Sequence, residues 1–238
     1  MKGEPMPLGV LVVAPHPDDE VLGCGGSIAN HVDRGHQVQV LYLSSGEHGS
    51  PTLPPEQCGP LREREAAAAA GVLGVAAAQL HFLRLPDGAI DARDLAHVGM
   101  VIGLLRRLRP SLVYLPHPGE ASFDHREGFE LCWRAAGMAG SRNFPEHGTT
   151  PWRVPTILGY EVWTPITEPQ YTTDITGTID RKTRALACYQ SQRATAKGAG
   201  QADYIDHAGP LLARWRGAMS TGGHREAFQV LRLGRVDP

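Results

Sequence analysis

The chain has 238 residues, with 23 Lys and Arg against 25 Asp and Glu, a net charge of −2. That balance excludes a general nucleic-acid binder, which carries a basic excess or stripe. Apolar residues make up 42% and charged residues 20%, which excludes a disordered chain and fits one large globular domain.

Cys24, Cys58, Cys132 and Cys188 are far apart and form no CxxC pair. A disulfide framework and a cysteine-based zinc site are therefore not expected. No segment reaches the roughly 18 apolar residues of a membrane span. Met1–Pro7 lacks the charged-then-apolar pattern of a signal peptide. The expectation is a soluble, cytoplasmic protein without membrane or nucleic-acid partners; a homo-oligomer is compatible with this reading.

Leu8–Ala14 is short, apolar and β-branched, the pattern of a strand buried on both faces, and Pro15 and Pro17 end it. A helix is predicted over Asp19–Asp33, stopped by Gly35, and a second strand over Val38–Ser44. Ser45–Pro60 is rich in Gly, Pro and Ser and reads as a loop. Arg62–Leu73 is a helix carrying five consecutive alanines from Ala66. Leu80–Leu85 is the third strand, Pro86-Asp87-Gly88 a turn, Leu95–Leu108 a helix, and Leu112–Leu115 the fourth strand. A helix follows over His125–Ala139, a strand over Thr156–Trp163, and helices over Ile179–Gln192 and His207–Met219. Phe228–Leu233 is a short last strand.

Strands and helices alternate, so the fold class is α/β: a Rossmann-like, mainly parallel sheet with helices on both faces. Residues 1–238 form one domain, with 160–238 a C-terminal elaboration. In such sheets ligands bind beyond the carboxyl ends of the strands, so the residues following each strand matter most.

After the first strand comes Pro15-His16-Pro17-Asp18-Asp19-Glu20. Like charges repel, and a metal cation is the usual compensation for such a cluster. His16 and Asp19 stand three apart across a turn, so one ion can accept both. Asp18 then flanks the metal, where a base for metal-bound water belongs. A plain helix start explains one or two acids, but not His16 between two prolines. A third ligand should come from another strand end. The fourth strand is followed by Pro116-His117-Pro118-Gly119-Glu120-Ala121-Ser122-Phe123-Asp124-His125, and both His117 and His125 are candidates. Gly23-Cys24-Gly25-Gly26 is not a dinucleotide fingerprint, because Ile28 stands where the last glycine belongs; small residues there serve close helix–sheet packing.

The string Ala14-Pro15-His16-Pro17-Asp18-Asp19-Glu20 and the glycines after it closely resemble the signature of the PIG-L/LmbE family of zinc-dependent N-acetylglucosamine deacetylases. Ser45-Gly46-Glu47, Arg62-Glu63-Arg64-Glu65-Ala66, Pro86-Asp87-Gly88 and Asp124-His125-Arg126 match as well. Gly159–Trp163 and Lys182–Leu186 look like a looser continuation. The resemblance implies one zinc ion on His16, Asp19 and His125, Asp18 as general base, and release of acetate from an N-acetyl amino sugar, a small-molecule substrate. It places Arg62 near the site, for the substrate or in support of the ligands; a surface helix pair with Glu65 is the other reading of that residue. Glu161 and the loop after the second strand are expected at sugar hydroxyls. The family often has a histidine where this chain has Ser122, so His117 is expected to supply the donor to the oxyanion. Rival readings are an amidase for a larger amide, such as a thiol conjugate or acyl-glycopeptide, and a metal-retaining binding protein.

Overall fold

The computed structural model describes residues 7–193 and 204–234. A seven-stranded sheet has the order β3-β2-β1-β4-β5-β7-β6. Its strands are β1 (Gly9–Ala14), β2 (Gln37–Tyr42), β3 (Leu80–Phe82), β4 (Leu112–Pro116), β5 (Thr156–Tyr160), β6 (Tyr171–Asp174) and β7 (Arg225–Arg232). The first five are parallel; β7 runs antiparallel to β5 and to β6. The helices are α1 (Asp19–Asp33), α2 (Pro55–Leu73), α3 (Leu95–Leu108), α4 (Phe123–Ala139), α5 (Ile179–Leu186) and α6 (Tyr204–Ala218).

The alternation of side chains along β1 feeds two cores. Val10, Val12 and Ala14 pack with residues of α1, α2 and α5, while Leu11 and Val13 pack with residues of α3 and α4. Both faces of the sheet are covered, as expected for a parallel sheet of near-continuous apolar strands. Gly23 brings α1 against β5: a Cβ there would lie 2.2 Å from the ring of Tyr160. The Tyr160 hydroxyl in turn donates to Val13 O of β1 at 2.8 Å.

Several element bounds differ from the sequence reading, each for a local reason. α2 starts at Pro55, which is compatible with a first helical turn, so part of the expected loop is helix. β5 ends at Tyr160 because Glu120 draws the following backbone away from the ladder. Its carboxylate accepts the N–H groups of Val162, Trp163 and Thr164 at 2.7, 3.2 and 3.3 Å. α5 ends at Leu186, where Cys188 and Tyr189 bond three residues back instead of four. β6 has no counterpart in the sequence reading: Tyr171–Asp174 is a four-residue edge strand without apolar alternation. The helix expected from His207 begins earlier, as α6 at Tyr204. No helix among the described residues is long and apolar enough to cross a membrane.

Candidate metal centre and active site

Strand order reverses between β1 and β4, so the loops leaving their carboxyl ends part and open a crevice. His16, Asp18 and Asp19 enter it from the end of β1 and the start of α1. His125 enters from the first turn of α4. His16 Nδ1 lies 3.3 Å from Asp19 Oδ2, and His125 Nε2 lies 3.2 Å from the same oxygen. One ligand atom from each residue falls within 4.8 Å of the others. Ligands 2.0–2.1 Å from a tetrahedral zinc ion stand about 3.3 Å apart, so the set has the right spacing.

His125 supplies a direct sign that these residues fit a cation. It is 0% exposed, and neither ring nitrogen makes a hydrogen bond, although carboxylate oxygens stand at 3.2 and 3.3 Å. The ring thus faces two carboxylates without hydrogen-bond geometry to either, and a cation on Nε2 would satisfy that nitrogen and the Asp19 charge together. Two histidines and one carboxylate leave the open position of a catalytic rather than a structural site.

Three acids that sequence reasoning did not single out stand behind the ligands. Asp124 Oδ2 lies 3.0 Å and Asp87 Oδ1 3.1 Å from His16 Nε2. Asp124 also accepts from Gly88 N at 2.7 Å. Glu120 Oε2 lies 3.3 Å from His125 Nδ1. Carboxylates behind metal-binding imidazoles fix ring orientation and raise ligand basicity. His16, Asp87 and Asp124 also lie close enough to hold an ion. Asp124 already accepts a backbone N–H and faces His16 as a hydrogen-bond partner, so of the two groups the Asp19 side has the more available ligand atoms. Asp87 and Asp124 stand in the strings that carry the resemblance, and Glu120 in the same loop; only the folded distances give them this place.

The electrostatics follow from burial and neighbours. Burial pushes Asp18 up to about 7, against the pull of the Arg62 guanidinium. Burial opposes ionisation of Asp19 too, yet the two histidines hold it well below the carboxylate range. Burial would lower His125, but the Asp19 charge and Glu120 raise it to about 9. His16 is likewise raised well above its ordinary value: burial is outweighed by Asp124, Asp19 and Asp87. Burial alone would raise Glu120, but His117, His125 and the Val162 N–H bring it down to about 2.

Arg62 is 4% exposed and makes no surface pair with Glu65. Its guanidinium donates to Asp18 Oδ2 at 3.1 Å, Pro17 O at 2.5 Å and Gly46 O at 3.0 Å. Glu65 instead accepts from Ser191.

The structure gives two other expected residues different partners. His117 Nε2 donates to Thr164 O at 2.7 Å, and Nδ1 accepts from Gly119 N at 3.2 Å. Both nitrogens are thus committed, one to the loop after β5 and one to its own loop, which leaves no N–H for an oxyanion. Glu161 is 3% exposed and engaged by Arg216 Nε at 2.9 Å, Arg216 Nη2 at 2.5 Å and Ile166 N at 2.7 Å. A carboxylate so occupied has little capacity left for sugar hydroxyls. Two residues on, Trp163 is 47% exposed, with its ring 6.5 Å from the ring of His125.

A doubly wound sheet with two histidines and a carboxylate gathered at its switch point, and a buried acid beside them, has the form of an enzyme site that could activate water on a cation. Residues 11–136 match the profile of PIG-L, GlcNAc-PI de-N-acetylase, and the chain belongs to that family. It is 29% identical over 193 residues to diacetylchitobiose deacetylase of Thermococcus kodakarensis, covering 77% of this chain and 69% of that one. It is 31% identical over 189 residues to 1D-myo-inositol 2-acetamido-2-deoxy-alpha-D-glucopyranoside deacetylase of Streptomyces avermitilis, covering 67% and 63%. The conserved protein TT1542 from Thermus thermophilus superimposes with a TM-score of 0.81 at 32% identity, covering 97% of each chain. The fold alone does not select the reaction. A 4-carboxy-2-hydroxymuconate hydratase from Pseudomonas putida shares it at 24% identity and a TM-score of 0.81, covering 96% of this chain and 98% of that one.

Proposed function

We propose that this protein is a zinc-dependent N-deacetylase that releases acetate from an N-acetylglucosamine-type amino-sugar conjugate. The observation that carries the reading is the wholly buried, unbonded His125 facing His16 and Asp19, with a buried carboxylate, Asp18, alongside. His16 Nδ1, Asp19 and His125 Nε2 would hold the ion. When bound, such an ion lowers the pKa of its water and polarises the acetyl carbonyl.

Asp18 then serves as general base and afterwards as acid. It takes a proton from the attacking water and returns it to the departing amine. Burial favours this exchange, because it brings the carboxyl close to neutrality. Arg62 aims that carboxylate and is the cationic side chain beside it, so we assign to Arg62 the positioning of Asp18 and, through its charge rather than by contact, a field that favours negative charge at the centre. His117 is assigned a positioning role through Glu120, which it approaches at 3.5 Å. Trp163 takes the place expected of Glu161, offering an apolar face to a pyranose ring near the centre.

All four cysteines are free thiols, which fits the reducing cytoplasm. The test is metal analysis together with acetate release from a panel of N-acetylglucosamine conjugates, including N,N′-diacetylchitobiose. One zinc per chain and acetate release are expected, and His16→Ala removes both. Failure on every N-acetyl sugar, with turnover of a larger amide, would transfer the reading to the amidase alternative. Trp163→Ala is expected to raise KM for the sugar by about tenfold, the cost of a lost aromatic contact of about 1 kcal/mol or more, while leaving metal content unchanged.

A further inference from the structure

Glu20, the third acid of the first motif, is neither a ligand nor the base. It is 1% exposed, an unfavourable place for a carboxylate beside Asp18 and Asp19. Its Oε2 accepts the backbone N–H of Asp18 at 3.1 Å, and its Oε1 accepts the hydroxyl of Tyr189. Tyr189 lies just beyond α5, so the contact joins the C-terminal part of the chain to the loop after β1.

The residue held in this way is strained. Asp18 has φ 120°, in a region that residues with a side chain rarely adopt. Arg84, Arg109 and Phe144 also have positive φ, but between 47° and 59°, in the ordinary left-handed well. Strained residues persist only where the surroundings over-determine them. At Asp18 each polar group has its own holder. Val21 and Leu22 donate to its carbonyl at 3.0 and 2.9 Å. Arg62 holds its carboxylate at 3.1 Å. Glu20 holds its N–H. The carbonyl contacts come with any helix start; the N–H contact does not, and with the Arg62 contact to Pro17 O at the other side of the plane it sets the rotation of the Pro17–Asp18 peptide.

We propose that Glu20 is the positioning residue of Asp18: by binding the strained N–H, it fixes the direction in which the catalytic carboxylate projects. Its length and its oxygen matter, and its charge does not. This inference rests on the proposed role of Asp18 as base.

Two variants of the zinc-loaded full chain separate these properties, with N,N′-diacetylchitobiose as substrate. Glu20→Gln keeps the length and one oxygen for Asp18. Its amide can donate to Tyr189 Oη, and Tyr42 Oη, buried against Glu20 and Tyr189 without a hydrogen bond, can accept one from the Tyr189 hydroxyl. Glu20→Asp keeps the charge but withdraws the oxygens by about 1.5 Å. Glu20→Asp is expected to lower kcat roughly 10- to 100-fold, as an ångström of misplacement does, with KM and metal content within about twofold of wild type. Glu20→Gln is expected to keep kcat within about threefold. In an Asp18→Asn background Glu20→Asp should cost nothing further, since two residues acting as one unit are not additive. Crystal structures of the same variants without substrate give a reading independent of turnover. Asp18 should keep its positive φ and its Arg62 contact in Glu20→Gln and relax in Glu20→Asp.

The reverse ranking of the two variants, an undiminished cost of Glu20→Asp beside Asp18→Asn, or an unmoved Asp18 in the Glu20→Asp crystal would overturn the proposal. Near-normal turnover by Asp18→Asn alone would overturn the base assignment instead, and the crystal structures would still decide whether Glu20 holds the peptide.

Discussion

His125 and His16 carry opposite demands: as neighbours of Asp19 they gain a proton, and as the metal ligands proposed above they would have to give it up. With protein groups alone around them, His125 is raised to about 9 and His16 well above its ordinary value. Both are therefore protonated at pH 7, and a cation must displace those protons. Zinc uptake at pH 7 is expected to release between one and two protons, and affinity should rise with pH until about 9. Titration calorimetry in two buffers of different ionisation enthalpy reads the proton count; a count of zero would contradict the ligand set. Glu120 prepares His125 for this exchange from the far side of the ring. Glu120→Gln keeps the shape but weakens the acceptor, and should lower zinc affinity about 10- to 100-fold with the fold intact. An unchanged affinity would remove Glu120 from the centre. At this scale the sequence was legible where chemistry is concentrated in one string, as in His16 to Asp19. It was not legible for Glu120 or for the commitments of His117 and Glu161. Those depend on which carbonyl, N–H or guanidinium the fold brings within 3 Å, from residues as distant as Thr164 and Arg216.

Among the elements, α1 bears the most unusual load. Midway along it, Gly26 and Ser27 N–H donate to the Glu226 carboxylate from β7 at 2.9 and 2.7 Å. Lys182 of α5 donates to Leu22 O at 2.8 Å and to Glu226 at 2.7 Å. An ion pair thus serves backbone groups in the middle of α1, where it ties three elements together, and both side chains are under 5% exposed. Removing one partner of a buried pair leaves an uncompensated charge. Lys182→Met should destabilise by about 3–5 kcal/mol, read as a lower urea midpoint. Arg181→Ala, which breaks the exposed pair with Asp33, should cost under about 1 kcal/mol. Equal effects would show that Lys182 contributes only packing. The parallel strands and the α1, α3 and α4 helices were readable from their apolar periods and stops. The end of β5 was not, because a distant carboxylate, rather than a local breaker, turns the chain there. Nor was β6, whose four residues pair only because β7 offers an edge.

Taken whole, the molecule places its chemistry where its winding reverses. β1 and β4 are neighbours, and the chain leaves them on opposite faces of the sheet, so residues 109 positions apart, His16 and His125, meet over one crevice. The elements after β5 extend the same sheet and reach back to α1 through Glu226 and to Glu20, beside Asp18, through Tyr189. The fold class and the crevice followed from the strand–helix alternation; the return of the C-terminal elements to α1 and Asp18 did not, since no local pattern announces a contact between residues 169 positions apart. In the proposed reaction this crevice hydrolyses an N-acetyl group with Asp18 as its base. The most direct test is acetate release from N,N′-diacetylchitobiose by Asp18→Asn and wild type at matched zinc content. One zinc per chain is expected in both, with a rate lower by about 10²-fold or more in the variant; equal rates at equal zinc would show that Asp18 is not the base.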